Sequence, residues 1–367
     1  TIMVTFFLAL AISLVACLLL IPVARRFQLV DRPDGFRHSQ KAPVPRLGGV
    51  GIFVGFVVPL FVLLHIPQFT LVSHQVIGVA GRLRALVLGS GLVLILGMID
   101  DAVDIRPRWK LSAQIVLGGV ACWLGFQIDC VTIPFVGTIH LGGWSWAVTI
   151  FWFVACMNAV NLLDGIDGLA AGACLFVAIT LLSTSVMMGN ILGTVLMSCF
   201  AGAAAGFLVL NFPPARLYLG NGGSLMLGFL MAALSLVGAT KKAETAVALL
   251  VPIIALGLPI VDTMLAILRR WYHRLPISGG DKEHIHHMLT SMGYSPRRAV
   301  LLLYAVCVLL GAASLIVVAG RSEVVLLVVV LLAVIVYATI RVFSGMSFRS
   351  IAARIVEESA RSDRRRD

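Results

Sequence analysis

Eleven long apolar stretches, separated by short polar segments, organise this chain. They run over about 2–23, 47–65, 85–99, 111–127, 146–161, 168–187, 191–210, 223–238, 246–268, 299–318 and 324–343. An α-helix needs about 20 apolar residues to cross a bilayer, and in lipid its backbone must be satisfied within the segment. The pattern therefore predicts an all-α, polytopic membrane bundle of about 11 transmembrane helices, one domain over 1–343 with a charged tail over 344–367. The first stretch, from Ile2, is longer than a signal-peptide core and lacks a basic lead, so it reads as a retained span.

Composition agrees with this pattern. The 367 residues are 60% hydrophobic and only 12% charged, with a mean hydropathy of +1.02, too apolar for a soluble domain to cover with a polar surface. Cys17, Cys122, Cys130, Cys156, Cys174, Cys199 and Cys307 lie scattered in apolar stretches without C-x-x-C spacing, which suits membrane packing rather than a metal or disulfide framework. The net charge of +11 would suggest nucleic acid for a soluble protein. Here its distribution explains it instead.

Of the 28 Lys and Arg residues, 23 fall in segments on the C-terminal side of the predicted membrane and 5 on the other. The positive-inside rule then places the C-terminus in the cytoplasm and the N-terminus outside, with no nucleic-acid partner required. The same parity gathers Asp100, Asp101, Asp104, Asp164, Asp167, His284, His286 and His287 at cytoplasmic ends. The terminal Arg cluster of the tail suits anionic membrane lipid.

Three polar groupings can carry chemistry. In Met157–Ala170, MNAVNLLDGIDGLA, Asn158 and Asn161 are three apart, as are Asp164 and Asp167, so on helical geometry each pair shares a face. Four oxygen-bearing side chains at a membrane edge suit ion or phosphate binding; an Asx-rich helix end before the next N-cap is the plainer reading. Asp100 and Asp101 end an apolar run and precede Arg106, Arg108 and Lys110, a place where a cation or proton acceptor can meet phosphate, or else an acidic cap before a basic loop. In DKEHIHHML, His284, His286 and His287 lack the partner spacing of a zinc site and fit phosphate or sugar contact better. Glycine-rich PRLGGVG, beginning just before Arg46, and LGNGGS, containing Gly222, each open a span whose N-terminus can cradle an anion, though close helix packing also uses such glycines. Asp262 lies about 10 Å inside a span at 1.5 Å per residue, where acids are usually functional or paired.

In order along the chain, DRPDGFRHSQKAPVPRLGG, GMIDD to RPRWKL, NAVNLLDGIDGL, LYLGNGGSLMLGF and HIHHML resemble the motifs of the polyprenyl-phosphate N-acetylhexosamine-1-phosphate transferases, which include bacterial undecaprenyl- and decaprenyl-phosphate GlcNAc-1-phosphate transferases. The resemblance runs from Asp31 to Leu289. It implies an enzyme of the bacterial inner membrane, its active site facing the cytoplasm, that moves a sugar-1-phosphate from a UDP-N-acetylhexosamine, by default UDP-GlcNAc, to polyprenyl phosphate. Such a step releases UMP and begins a cell-envelope polysaccharide such as lipopolysaccharide or teichoic acid. It also implies a Mg2+ (or Mn2+) cofactor and membrane lipid as partner, with a homodimer left open.

Carried over by position, the resemblance implies that Asp100 and Asp101 handle the carrier phosphate, Lys110 contacts phosphate, and Asp164, Asp167 and His287 serve the nucleotide sugar in catalysis. Arg46, Asn158, Asn161, Gly222, His284 and His286 are expected at the substrate, and Asn161 and Asn221 at the metal. One position departs: the family commonly has Asp, a magnesium ligand, where this chain has Asn221. Asn keeps a carbonyl oxygen but loses the charge that hard divalent ions favour, which lowers the expected metal affinity. That keeps open a second reading, a catalytically silent binder of nucleotide sugar or lipid. An ion-coupled transporter using Asp262 is the reading from another class; one-sided polar residues and the lack of an inverted repeat speak against it. Within the enzyme class, the muramyl-pentapeptide transferases differ in the motifs that here read DRPDGFRHSQKAPVPRLGG and HIHHML.

Overall fold

The computed structural model describes residues 2–31, 43–64, 80–133, 137–237 and 294–318, with residues 257 and 289. Nine α-helices stand among the described residues: α1 Ile2–Arg26, α2 Gly48–Leu64, α3 Ala80–Val103, α4 Pro107–Trp123, α5 Ser145–Leu163, α6 Leu169–Met187, α7 Ile191–Asn211, α8 Gly220–Val237 and α9 Pro296–Val318. They correspond to nine of the eleven expected spans. The other two, 246–268 and 324–343, lie outside the described residues, as does Asp262. Seven of the helices are long and apolar enough to cross a membrane. The all-α, multi-pass membrane architecture expected from the apolar pattern is thus present.

The bundle is built around α8. From Gly222 to Val237 every residue of this helix is buried, and it packs on α2, α3, α5, α6 and α7. Such burial requires small residues at the crossings, because lipid supplies no hydrophobic drive between helices and close backbone approach replaces it. A Cβ on Gly97 of α3 would lie 2.4 Å from the Gly222 Cα, so this crossing accepts only glycine. Around α8, α1 packs on α2 and α7, α6 on α7 and α9, and α4 lies against α3 and α5. Side chains pointing away from the bundle, such as Leu19, Leu88, Phe151 and Val209, are apolar and more than half exposed, the surface a bilayer would cover.

Two small antiparallel sheets lie at the helix ends. At one end β1 (Val30–Asp31) pairs with β2 (Val44–Pro45), Val30 opposite Pro45 and Asp31 opposite Val44. Elsewhere β3 (Cys130–Ile133) pairs with β4 (Gly137–His140), Cys130 opposite His140. This second hairpin lies in a segment expected only as a loop. Its signal is the β-branched series Val131, Thr132, Ile133 and Thr138, Ile139, too short to stand out between helical runs. It is tied down where Leu141 N–H donates to the Asp129 carbonyl (2.9 Å) and the Ser145 hydroxyl to the Asp129 carboxylate (3.1 Å).

Candidate functional site

The acids converge where α3 ends, α5 turns into α6 and α8 begins. Helix α3 runs on through Asp100 and Asp101. Asp100 is buried; one carboxylate oxygen accepts from the Lys110 ammonium at 2.7 Å and the other from the Ile105 N–H at 3.1 Å. Lys110 sits in the first turn of α4, entered through Pro107, so the ion pair joins α3 to α4 across the tight turn at Asp104. With both oxygens committed, Asp100 orients Lys110.

Asp101 faces the other way. Its carboxylate accepts from the Gly222 N–H at 3.4 Å and from the backbone N–H of Asn221, covering the positive N-terminus of α8. Gly220 opens that helix with φ +74°, and a Cβ there would lie 2.8 Å from the Asp101 oxygen. The glycines of LGNGGS thus serve this approach. At the other glycine-rich start, Gly48 N–H donates to the Tyr218 carbonyl (2.9 Å) and Gly49 N–H to that of Leu219 (3.2 Å). Both helix starts expected to cradle an anion are therefore already partnered by protein, and Gly222 meets Asp101 through its N–H. The Tyr218 N–H donates to the Pro45 carbonyl at 2.7 Å, which fixes the backbone beside Arg46.

Helix α5 ends at Leu163, so the two expected pairs differ. Asn158 and Asn161 are on the helix, but Asp164 and Asp167 lie in the turn leading to α6 and share no helical face. The two glycines of DGIDG favour a turn over a helical continuation. Asn161 points its amide nitrogen at α8, donating to Asn221 Oδ1 at 3.0 Å and Ser224 Oγ at 2.8 Å. Asn158, expected at the substrate, is turned toward α4, where it donates to Gln114 Oε1 at 2.7 Å.

The turn itself is braced from several sides. Asp167 accepts from the Ala215 N–H at 2.9 Å, Gly168 N–H donates to Asn211 Oδ1 at 2.9 Å, and the Tyr304 hydroxyl donates to the Gly168 carbonyl at 2.5 Å. Arg46 forms an ion pair with Asp31, which sets one cation beside this cluster of acids. Gln114, Asn211, Ser224 and Tyr304 were not singled out from sequence. The available signal for Gln114 and Asn211 is a lone amide in or ending an apolar run. His284, His286 and His287 lie outside the described residues.

Loss of surrounding water pushes the Asp164 carboxyl well above the ordinary carboxylate range; the charges of Asp101 and then Asp167 push the same way, and Arg46 opposes them. A carboxyl whose pKa is higher folded than unfolded holds its proton more tightly in the folded state. Its ionisation therefore costs stability as pH rises from its unfolded value, about 4. Without divalent cations, thermal stability should fall as pH climbs from about 4 toward neutrality, and Asp164→Asn should flatten that slope. Equal slopes for the two proteins in a pH series of unfolding temperatures would show that Asp164 ionises without penalty.

Such excess negative charge suits an oxygen-seeking cation. Among the described residues no three carboxylates, imidazoles or thiols converge as a self-sufficient metal site. The residues that could hold a cation are Asp164, at the end of the same helix as Asn161, together with Asn161 and Asn221, which the Asn161 amide nitrogen joins. That set fits a hard divalent cation bound through one or two protein oxygens, with substrate phosphates and water completing its shell.

The chain matches known proteins over most of its length, the family match spanning this region. Residues 83–239 match the family described as glycosyl transferase family 4. Over 309 residues the chain is 33% identical to the probable undecaprenyl-phosphate N-acetylglucosaminyl 1-phosphate transferase of Bacillus subtilis, covering 83% of this chain and 82% of that protein. It is 34% identical over 304 residues to the decaprenyl-phosphate N-acetylglucosaminephosphotransferase of Mycolicibacterium smegmatis, covering 77% and 73%. A phospho-N-acetylmuramoyl-pentapeptide-transferase of Moorella thermoacetica is 33% identical over 298 residues, 76% of this chain and 86% of that protein.

Proposed function

Since this chain belongs to glycosyl transferase family 4 and is a glycosyl-1-phosphate transferase acting on polyprenyl phosphate, we propose that its donor is a UDP-N-acetylhexosamine, most simply UDP-GlcNAc. The observation that carries this is the convergence of Asp101, Asp164, Asn161 and Asn221 at the bundle end where Arg46 and Lys110 also lie. The two named N-acetylglucosamine relatives support the sugar. Identity alone does not separate them from the muramoyl-pentapeptide relative; the loop motifs favour the former.

The reaction joins two anions. A phosphate oxygen of the carrier attacks the β-phosphorus of the UDP-sugar, the bond to the UMP oxygen breaks, and polyprenyl-diphospho-sugar and UMP result. Lys110 supplies positive charge to the carrier phosphate while Asp100 holds the ammonium in place. Asp101 positions the attacking phosphate. With phosphate's second pKa near 6, much of the carrier is already dianionic at neutral pH, so little proton removal is needed. Asp164 and Asn161 would hold a divalent cation, which when bound offsets charge on the pyrophosphate. Asp167, Arg46 and the His284, His286 and His287 segment complete the nucleotide-sugar side, and the prenyl tail stays in the bilayer. A panel of radiolabelled UDP-sugars incubated with polyprenyl phosphate tests this reading. Lipid-linked label from UDP-GlcNAc is expected; label only from UDP-MurNAc-pentapeptide, or from no donor even after Asn221→Asp, would refute it.

The site faces the cytoplasm on this reading. All seven native cysteines are buried, so single introduced cysteines report cleanly. Gly143→Cys should react with an impermeant maleimide from outside cells and Arg106→Cys only after permeabilisation. The reverse pattern would invert the topology.

A further inference from the structure

We propose that Gln114 and Asn158 form an amide clamp that sets the register of α4 and thereby positions Lys110. Asn158 Nδ2 donates to Gln114 Oε1 at 2.7 Å and also to its own helix at Val154 O, 2.8 Å, while Gln114 Nε2 returns a longer bond to Asn158 Oδ1 at 3.5 Å. Gln114 is fully buried. A primary amide at that depth is costly unless paired, and the pairing here is reciprocal.

The reason to assign it a positioning role lies in the rest of α4. This helix is peripheral, with Leu111, Ile115, Val116 and Trp123 exposed toward the surroundings. Its buried residues are Gln114, Gly118, Ala121 and Cys122. The three small residues Gly118, Ala121 and Cys122 allow close approach but interlock weakly, so they resist sliding or rotation little. The amide pair is the close directional contact on that face, beside a long Cys122 thiol bond to the Trp146 carbonyl at 4.0 Å. Lys110 and Gln114 are four residues apart, one above the other on one stripe of the helix and about 6 Å apart along its axis. A shift in register at Gln114 therefore moves the Lys110 ammonium by a similar amount.

The clamp also closes a circuit. Asp100 joins α3 to Lys110 on α4, Gln114 joins α4 to Asn158 on α5, Asn161 joins α5 to Asn221 and Ser224 on α8, and the N-terminus of α8 returns to Asp101 on α3. Four helices are thus held by polar contacts around one end. Asn158 acts in this arrangement through Lys110 and not by touching substrate.

This inference rests on the reading of Lys110 as a contact to the carrier phosphate, and the test separates the two. Dissociation constants for a polyprenyl phosphate and for UDP-GlcNAc are measured on the purified full chain in phosphatidylcholine nanodiscs. The proteins are the parent, Lys110→Gln, Gln114→Leu, their combination, and the exchanged pair Gln114→Asn with Asn158→Gln. Loss of the interhelical amide pair releases the register of α4, so Gln114→Leu should weaken polyprenyl phosphate about fivefold, which is about 1 kcal/mol. UDP-GlcNAc binding should stay unchanged, Gln114→Leu should add nothing in the Lys110→Gln background, and the exchanged pair should recover most of the loss. If Lys110→Gln leaves carrier binding unchanged, the reading of Lys110 fails and the inference with it. If Lys110→Gln weakens the carrier but Gln114→Leu does not, or weakens both ligands alike, or adds in full to Lys110→Gln, the clamp alone is overturned. An exchanged pair as weak as Gln114→Leu overturns it as well.

Discussion

Replacing Asn221 by Asp should raise turnover by at least about tenfold, an activation gain of roughly 1.4 kcal/mol, and reduce the magnesium needed for half-maximal rate. Asn221 sits half-buried in the first turn of α8, with Oδ1 accepting from Asn161 Nδ2 at 3.0 Å. A carboxylate keeps that acceptor and the same shape, so the side chain stays where it is while the site gains a charge. The gain has a cost without metal, because the new carboxylate joins Asp101 and Asp164 in a cluster already rich in negative charge. Asn221→Asp should therefore unfold at a lower temperature than the parent in chelator and show the larger rise when magnesium is added. Asn221→Ala, which removes the oxygen altogether, should move rate and metal requirement the opposite way. Unchanged rate and metal dependence in Asn221→Asp would take position 221 out of the proposed metal site.

Much of this site could be read along the chain, and the part that could not has a physical reason. Apolar runs show helices because lipid imposes the same demand on every span, and among the described residues helices stand at nine of the expected positions, seven of them long and apolar enough to cross a membrane. Local motifs put Asp100, Asp101, Asn161, Asp164 and Asn221 into view because each lies beside a glycine or at the end of an apolar run. What sequence spacing does not reveal is direction. Asn158 and Asn161, three apart on one helix, engage α4 and α8 respectively. Asp100 and Asp101 are adjacent, yet one is committed to Lys110 and the other to the start of α8. The glycine-rich starts suggested free N–H groups, but whether a helix N-terminus is free depends on a partner distant in sequence: Asp101 for α8, Tyr218 and Leu219 for α2. Gln114 is a lone amide among apolar residues, and only its facing helix explains it.

Asp101 is where charge and architecture can be separated by the choice of replacement. Its carboxylate meets the backbone N–H groups that open α8, and it also belongs to the negative cluster around Asp164. Asn at this position retains an acceptor oxygen for those N–H groups but no charge, so Asp101→Asn should fold to normal yield. Leu provides neither and leaves the first turn of α8 without its partner, at a cost of about 1 kcal/mol. That loss falls on a helix packed against five others, so Asp101→Leu should show a lower unfolding temperature. Turnover should divide differently. Preorganised charge at a reacting centre is typically worth about a hundredfold or more in rate, and both variants lose it. Measured in an Asn221→Asp background, Asp101→Asn and Asp101→Leu should therefore fall by about a hundredfold alike, while only the second loses stability. A variant Asp101→Asn that turns over at the parent rate would leave Asp101 as a helix cap and nothing more, and the positioning of the carrier phosphate would have to be sought elsewhere in the circuit.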